Sequence, residues 1–262
     1  MCGIVGAISG NQVASILLDG LKRLEYRGYD SAGIAINSDS GELQRIRSVG
    51  KVSQLQELLE RSPIQGVMGI AHTRWATHGM PAERNAHPHQ SGERVAVVHN
   101  GIIENHVQLR KQLEDKGYIF TSDTDTEVIA HLLASMLDQG TDLLTAVRDT
   151  TKQLVGAYAL AVMSPDDSER LVVARAGSPL VVGVSDDGNY VASDVYALLP
   201  VTRRFLFLDE GDIAEIRRSG VSVYDADHNP VERPTQESNR TASEADKGQY
   251  RHYMLKEIFE QP

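Results

Sequence analysis

The sequence predicts an α+β fold built as a four-layer αββα sandwich, with two sheets packed face to face and helices outside. Two observations carry that expectation. Apolar residues at helical spacing fall in the first half of the chain, while short apolar runs of strand length occur in both halves. The bulk numbers agree, because 262 residues with 41% hydrophobic content can bury a sizeable core.

The elements follow in order. Residues 4–8 are a short apolar strand that starts almost at the chain terminus. Val13, Ile16, Leu17, Leu21 and Leu24 recur at helical spacing and predict a helix over 13–24. The runs 32–36 and 43–47 flank the turn-rich Asn37-Ser38-Asp39-Ser40-Gly41 and read as a hairpin pair. A helix over 52–59 comes next, then strands at 67–71 and 95–98. Helix 105–116 is stopped by Gly117. A further helix starts near Asp125, where Thr124 and Glu127 have the spacing of a capping box before Val128 and Ile129. A third helix of this group covers 141–154. Strands are then expected at 158–163, 171–174, 180–184, 190–192, 205–208, 213–216 and 221–224. Residues 232–248 are polar and poor in large apolar side chains, so they read as a linker. A new helical pattern begins at 250–259, and on that basis the chain is expected to be a piece of a longer protein.

Composition excludes several classes. The net charge is −10, with Asp and Glu scattered, and such a surface repels phosphate backbones, so no nucleic-acid role is expected. No stretch of 18 apolar residues is present to span a membrane as a helix. The start, Met1-Cys2-Gly3-Ile4-Val5, lacks the basic leader and long apolar core of a signal peptide. A single cysteine cannot form an internal disulfide, which fits a reducing, cytoplasmic setting.

That cysteine is at position 2. Removal of the initiator methionine would leave a thiol and a free α-amine on one residue, and the amine can then serve as the base a weak nucleophile requires. Thiols titrate near ~8.5 and α-amines near ~8, so the two can share a proton at neutral pH. Position alone leaves this open against a small buried residue at a strand edge. Four other stretches are polar where a plain core-and-loop chain needs no polarity. They are Arg23 to Gly33 (Arg-Leu-Glu-Tyr-Arg-Gly-Tyr-Asp-Ser-Ala-Gly), His72-Thr73-Arg74-Trp75-Ala76-Thr77-His78-Gly79, His99-Asn100-Gly101-Ile102-Ile103-Glu104-Asn105, and Ser122-Asp123-Thr124-Asp125-Thr126-Glu127. Three of the four sit at the end of an element, where a rigid scaffold commonly presents binding residues.

Cys-Gly-Ile-Val-Gly at the start, Arg-Gly-Tyr-Asp-Ser-Ala-Gly, His-Thr-Arg-Trp-Ala-Thr-His-Gly, His-Asn-Gly-Ile-Ile-Glu-Asn and Asp-Thr-Asp-Thr-Glu, in this order, resemble the class II glutamine amidotransferases. These are N-terminal-nucleophile hydrolases. The Trp-containing motif and the Ile-Ile-Glu-Asn extension are most similar to the glutaminase half of the glucosamine-6-phosphate synthase family. The resemblance runs from Cys2 to Pro262. It implies the sandwich of the N-terminal-nucleophile type and hydrolysis of L-glutamine to glutamate and ammonia, with no cofactor and no metal. Cys2 matches the nucleophile, and the side-chain amide of Asn100 and backbone N–H of Gly101 match the oxyanion donors. Read without the resemblance, Asn100-Gly101 is equally an ordinary tight turn.

Arg74 matches the residue that holds the α-carboxylate, a task suited to a planar bidentate donor. Asp125 matches the acceptor of the α-ammonium, although a carboxylate at a helix start is also favoured by the helix dipole alone. Thr77 and His78 add hydrogen bonds in the resemblance, while Trp75 and Gly79 belong to a loop that closes over glutamine. Arg27 supports the thiol terminus, with a surface ion pair as its plainer role. The resemblance further implies 1–240 as the glutaminase domain and 241–262 as linker and start of a C-terminal sugar isomerase domain. That second half receives the ammonia and makes glucosamine 6-phosphate from fructose 6-phosphate. The isolated domain is expected to be a monomer and the full-length protein a homodimer.

Three rivals stand beside this reading. His87 and His89, with His72 and His78 nearby, could share a metal ion such as zinc. A non-catalytic regulatory domain could keep the same fold. The same glutaminase could also feed a different acceptor.

Overall fold

The computed structural model describes residues 2–239 and Phe259. In chain order the elements are β1 (Gly3–Ser9), α1 (Ala14–Arg23), β2 (Ser31–Asn37), β3 (Leu43–Val49), α2 (Val52–Arg61), β4 (Met68–Arg74), β5 (His89–Ser91), β6 (Val95–Ile103), α3 (His106–Asp115), α4 (Glu127–Leu137) and α5 (Leu143–Thr151). They continue with β7 (Gly156–Ser164), β8 (Asp167–Ala176), β9 (Val181–Val184), β10 (Gly188–Ala192), β11 (Arg204–Phe207), β12 (Ile213–Arg217), β13 (Gly220–Tyr224), β14 (Pro230–Val231) and β15 (Thr235–Glu237). The linker and new helix expected beyond residue 240 lie outside the described residues, apart from Phe259.

The strands form two antiparallel sheets. One has eight strands in the order β15-β11-β9-β10-β1-β4-β2-β3, and the other seven in the order β14-β13-β12-β8-β7-β6-β5. The period-two alternation of strand side chains explains the layers. In β1, Ile4 and Ile8 point to a core shared with Ala96 and Val98 of β6 and Ala159, Ala161 and Met163 of β7. Val5 and Ala7 point the other way, onto Leu17 and Leu21 of α1 and Leu55 of α2. Val95 and Val97 of β6 likewise face α3–α5, against Leu109, Val128, Ile129 and Val147. The order is therefore helices, eight-stranded sheet, seven-stranded sheet, helices. Because the inner strands are covered on both faces, they read in sequence as unbroken apolar runs.

Several boundaries differ from the sequence expectation, each for a physical reason. β4 and β6 run on to Arg74 and Ile103, beyond the expected ends at 71 and 98. The polar residues that ended the apolar runs stay in the ladder because they are buried in a site. β15 lies in the stretch read as linker, its backbone pairing with Arg204–Leu206 of β11 while its side chains stay exposed. The capping box does not form. Thr126 is the N-cap of α4 and makes no side-chain cap bond. Glu127 instead accepts from Thr121 N (2.9 Å), Ser122 N (2.7 Å) and both their hydroxyls, drawing the loop before the helix tight. Asp142 does cap α5, accepting from Leu144 N at 3.1 Å.

Candidate active site

The two sheets meet at one end of the sandwich, and each contributes strand ends to a shared cleft. β1 pairs antiparallel with β4, with Gly3 opposite Thr73, so Cys2 lies beside the point where β4 runs out into the Arg74-Trp75 loop. β2 pairs with β4 on its other side, with Ser31 opposite Arg74. The facing sheet supplies Asn100 and Gly101 from β6. The loop before α4 supplies Asp125.

Cys2 Sγ accepts from Trp75 N at 3.2 Å, and Asn100 Nδ2 donates to Cys2 O at 3.2 Å. Burial pushes the Cys2 thiol above its ordinary value, while the Trp75 N–H bond and the Arg74 charge pull it back. In the chain that keeps Met1 there is no free amine on Cys2, so the thiol titrates by itself. Its labelling by iodoacetamide there should rise with pH along a curve whose midpoint lies above that of an exposed cysteine thiol. A midpoint below that reference would show that the Arg74 charge outweighs burial.

Arg74 is 3% exposed, and its Nη2 donates to the carbonyls of His78 and, at 3.0 Å, Gly79. Its Nη1 has no hydrogen-bond partner, with Asp30 Oδ1 3.6 Å away. A buried guanidinium with one nitrogen left unpaired suits a carboxylate ligand. Asp125, also buried, accepts from Ile103 N at 2.8 Å through Oδ2, and its Oδ1 stands 3.9 Å from His78 Nδ1. Arg27 donates to Ser193 Oγ at 3.0 Å, and the same hydroxyl accepts from Ile4 N at 3.0 Å. Arg27 therefore braces β1 next to Cys2 through Ser193. Trp75 is more than half exposed, its ring lying over Gly28, where a Cβ would come within 2.3 Å.

Two connected spaces open from Cys2. An inner cleft with about 10 Å³ of free room is lined by Cys2, Arg74, His78, Gly101, Asp125 and Thr126, among others. An outer cavity of about 550 Å³ is lined by Cys2, Arg27, Trp75, Asn100, Gly101 and Pro179, among others. Thr77 lines both. A cavity of about 580 Å³ elsewhere is bordered by Val221, Val231 and Arg233, with the hydroxyl side chains Ser222 and Thr235 also on its wall. The structure thus brings together the expected residues Cys2, Arg74, Trp75, Thr77, His78, Asn100, Gly101 and Asp125, with Gly79 and Arg27 at the margin.

Other residues of the site escaped the sequence reading. Asp30 accepts from Ala76 N and from Ser31 Oγ (2.9 Å), and its own N–H donates to Arg74 O at 2.7 Å, so it fastens the loop after β4. Thr126 Oγ1 bridges His87 Nε2 and His99 Nδ1, both at 2.9 Å, and Thr124 Oγ1 meets His89 Nε2 at 3.0 Å. Burial holds His87, His89 and His99 below the ordinary imidazole value, so these are neutral rings serving as hydrogen-bonded spacers that fix the Asp125 loop. Of the histidines offered as a metal site, His87 and His89 are engaged in this way. Among the described residues, no three His, Cys, Asp or Glu side chains are grouped to hold a metal.

Residues 72–200 match the family described as the glutamine amidotransferase domain. Over its whole length the chain is 61% identical to the glutamine–fructose-6-phosphate aminotransferase (isomerizing) of Shewanella oneidensis and 58% identical to that of Pseudomonas aeruginosa. The chain carries a glutamine amidotransferase domain. This amidotransferase domain spans 43% of the length of those curated relatives. It also superposes on the glutamine phosphoribosylpyrophosphate amidotransferase of B. subtilis, solved with ADP and GMP, with a TM-score of 0.74. That match is 29% identical and covers 87% of this chain and 50% of the other. The fold of the amidotransferase domain is the N-terminal-nucleophile sandwich expected from the sequence.

Proposed function

We propose that the domain hydrolyses L-glutamine to L-glutamate and ammonia through a γ-glutamyl thioester on Cys2. The observation that carries this reading is the thiol of Cys2 shared by two spaces, one lined by the Asn100 amide and the other by the Arg74–Asp125 pair. Arg74 Nη1 takes the α-carboxylate and Asp125 the α-ammonium, which leaves the side-chain amide directed at Cys2. Thr77 and His78 add hydrogen bonds to the amino-acid head. Trp75 and Gly79 belong to the loop that closes over it. The inner cleft has room for about one water molecule, so glutamine enters only as this loop moves outward.

In the reaction, the Cys2 thiolate attacks the amide carbon and forms a tetrahedral oxyanion held by Asn100 Nδ2 and the Gly101 N–H. The C–N bond then breaks as the Cys2 amine passes its proton to the departing nitrogen, giving ammonia and the thioester. Water, deprotonated by the same amine, adds to the thioester, and the C–S bond breaks to release glutamate and the thiol. This route requires a chain whose first residue is Cys2. Its test is glutamate release from L-glutamine by that chain, together with labelling of Cys2 by a glutamine-like diazoketone. No turnover and no adduct would remove the proposal.

We further read residues 1–240 as the glutaminase unit and 241–262 as the linker and start of a C-terminal sugar isomerase domain. The length of the relatives supports this. Their name supports fructose 6-phosphate as the acceptor and glucosamine 6-phosphate as the product. The single cysteine supports a cytoplasmic setting, and we read the isolated domain as a monomer and the longer protein as a homodimer. Arg74→Lys keeps the charge and loses the fork. It should raise KM for glutamine by roughly 10–100-fold and leave kcat nearly unchanged, because the carboxylate is bound alike in ground and transition states. Steady-state kinetics check this, and an unchanged KM would take Arg74 out of the clamp.

A further inference from the structure

The side-chain amide of Asn100 has two ends of similar shape and opposite chemistry. Only the NH₂ end can serve an oxyanion, so something must decide which end faces Cys2. The neighbour that can decide is His72 of β4, which is fully buried between the sheets. Its Nε2 lies 2.9 Å from Asn100 Oδ1 and 3.0 Å from the carbonyl oxygen of His99. A backbone carbonyl can only accept, so Nε2 must carry a proton. That proton is shared between the two oxygens. Were Asn100 turned over, its NH₂ would meet the His72 N–H, two donors facing each other with no water to separate them.

The alternative tautomer is disfavoured twice. It would aim the Nε2 lone pair at the His99 carbonyl, and it would place a proton on Nδ1, which is buried and has no hydrogen-bond partner. The doubly protonated ring is excluded as well. Burial is the largest cause that lowers His72, to about 3, and it outweighs the Asn100 and His99 bonds that favour the charged form. Stacking of His72 on His87, with ring centroids 4.2 Å apart, limits rotation of the imidazole.

We infer that His72 is a positioning residue that fixes the Asn100 amide with Nδ2 toward the reaction centre. It touches neither substrate nor thiol and acts through Asn100 alone. The inference rests on the glutaminase reading above, in which Asn100 Nδ2 holds the oxyanion.

The test is a kinetic cycle in the chain that begins at Cys2. His72→Phe keeps a buried ring and loses the donor. It should lower kcat by roughly 10–100-fold, a fraction of the 10²–10³ typical of deleting an oxyanion donor, with KM within about twofold. His72→Gln keeps an N–H and should restore most of the loss. In an Asn100→Ala background, His72→Phe should add less than about twofold, because the group it orients is gone. Iodoacetamide labelling of Cys2 should stay unchanged throughout. Equal losses in both backgrounds, or KM and labelling falling along with kcat, would reduce His72 to core packing. Absence of turnover in the unsubstituted chain would instead overturn the glutaminase reading itself. Long-range proton–nitrogen NMR of the unsubstituted chain gives a second measurement that no folding defect can obscure. It should show neutral His72 protonated on Nε2 from about pH 5 to 8, and protonation on Nδ1 would overturn the inference.

Discussion

Cys2→Ala is expected to lower glutamate release by about 10⁴–10⁶-fold, the scale seen when a covalent nucleophile is removed. The thiol supplies the covalent bond that holds the acyl group through the second half of the reaction. Alanine nearly preserves its volume at the tip of β1, and the bonds that fix the backbone there come from other groups, namely Asn100 Nδ2 to Cys2 O and the β1–β4 pairing. The melting temperature should therefore stay close to that of the parent chain while turnover vanishes. A chain that keeps Met1 makes the sharper comparison. It has the same thiol, but its Cys2 nitrogen is an amide and cannot take up a proton. Loss of a positioned acid–base group is worth about 10²–10⁴-fold, so this form should lose activity on that scale while its thiol remains open to alkylation. Coupled glutamate detection gives the rates, and mass spectrometry of acid-quenched reactions should find the thioester adduct only on the unblocked cysteine. Similar rates in all three chains would remove Cys2 from the chemistry.

The sequence revealed the layers more readily than the site edges, and the strands show why. β1, β6 and β7 are buried on both faces, so their apolar runs stand out from the polar turns around them. The same rule misplaced the ends of β4 and β6. His72, Thr73, Arg74, His99 and Asn100 are polar and read as loop, yet each is buried in the ladder, where His72 bonds Asn100, His99 bonds Thr126 and Arg74 bonds the loop that follows β4. The boundary errors thus mark the site. Cys2, Arg74, Asn100, Gly101 and Asp125 were legible through motifs that need no three-dimensional knowledge. Asp30 and Thr126 were not, although both lie inside quoted motifs. Their work is to hold backbone and rings that are distant in sequence, and nothing local in the chain announces such partners. The capping-box spacing of Thr124 and Glu127 failed for a related reason. Glu127 found four donors in Thr121 and Ser122, and these outnumber the single N-cap N–H it would otherwise have accepted.

Gly101→Ala should disable the site through the backbone rather than through any side chain. Gly101 has φ of +137°, a region that alanine enters only with strain, at the point where β6 pairs with Tyr158 of β7. A Cβ at this position would lie 1.9 Å from Ala157 O and 2.7 Å from Ala157 C. Neither atom belongs to a side chain that could rotate away, so the two strands must separate or β6 must change its path. Either movement displaces the Gly101 N–H and, one residue earlier, the Asn100 amide that His72 orients. The loss of kcat should reach or exceed the 10²–10³-fold typical of one oxyanion donor. Stability should fall as well, by about 1–3 kcal/mol for the strained backbone alone. Gly117→Ala separates the two causes. That residue, just beyond α3, also has positive φ (+92°), but a Cβ there meets nothing within 4 Å. It should therefore lower the melting temperature without touching kcat or the labelling of Cys2. If Gly101→Ala behaved like Gly117→Ala, with a lower melting point and normal turnover, the close pairing of β6 with β7 at Gly101 would have no part in building the oxyanion site.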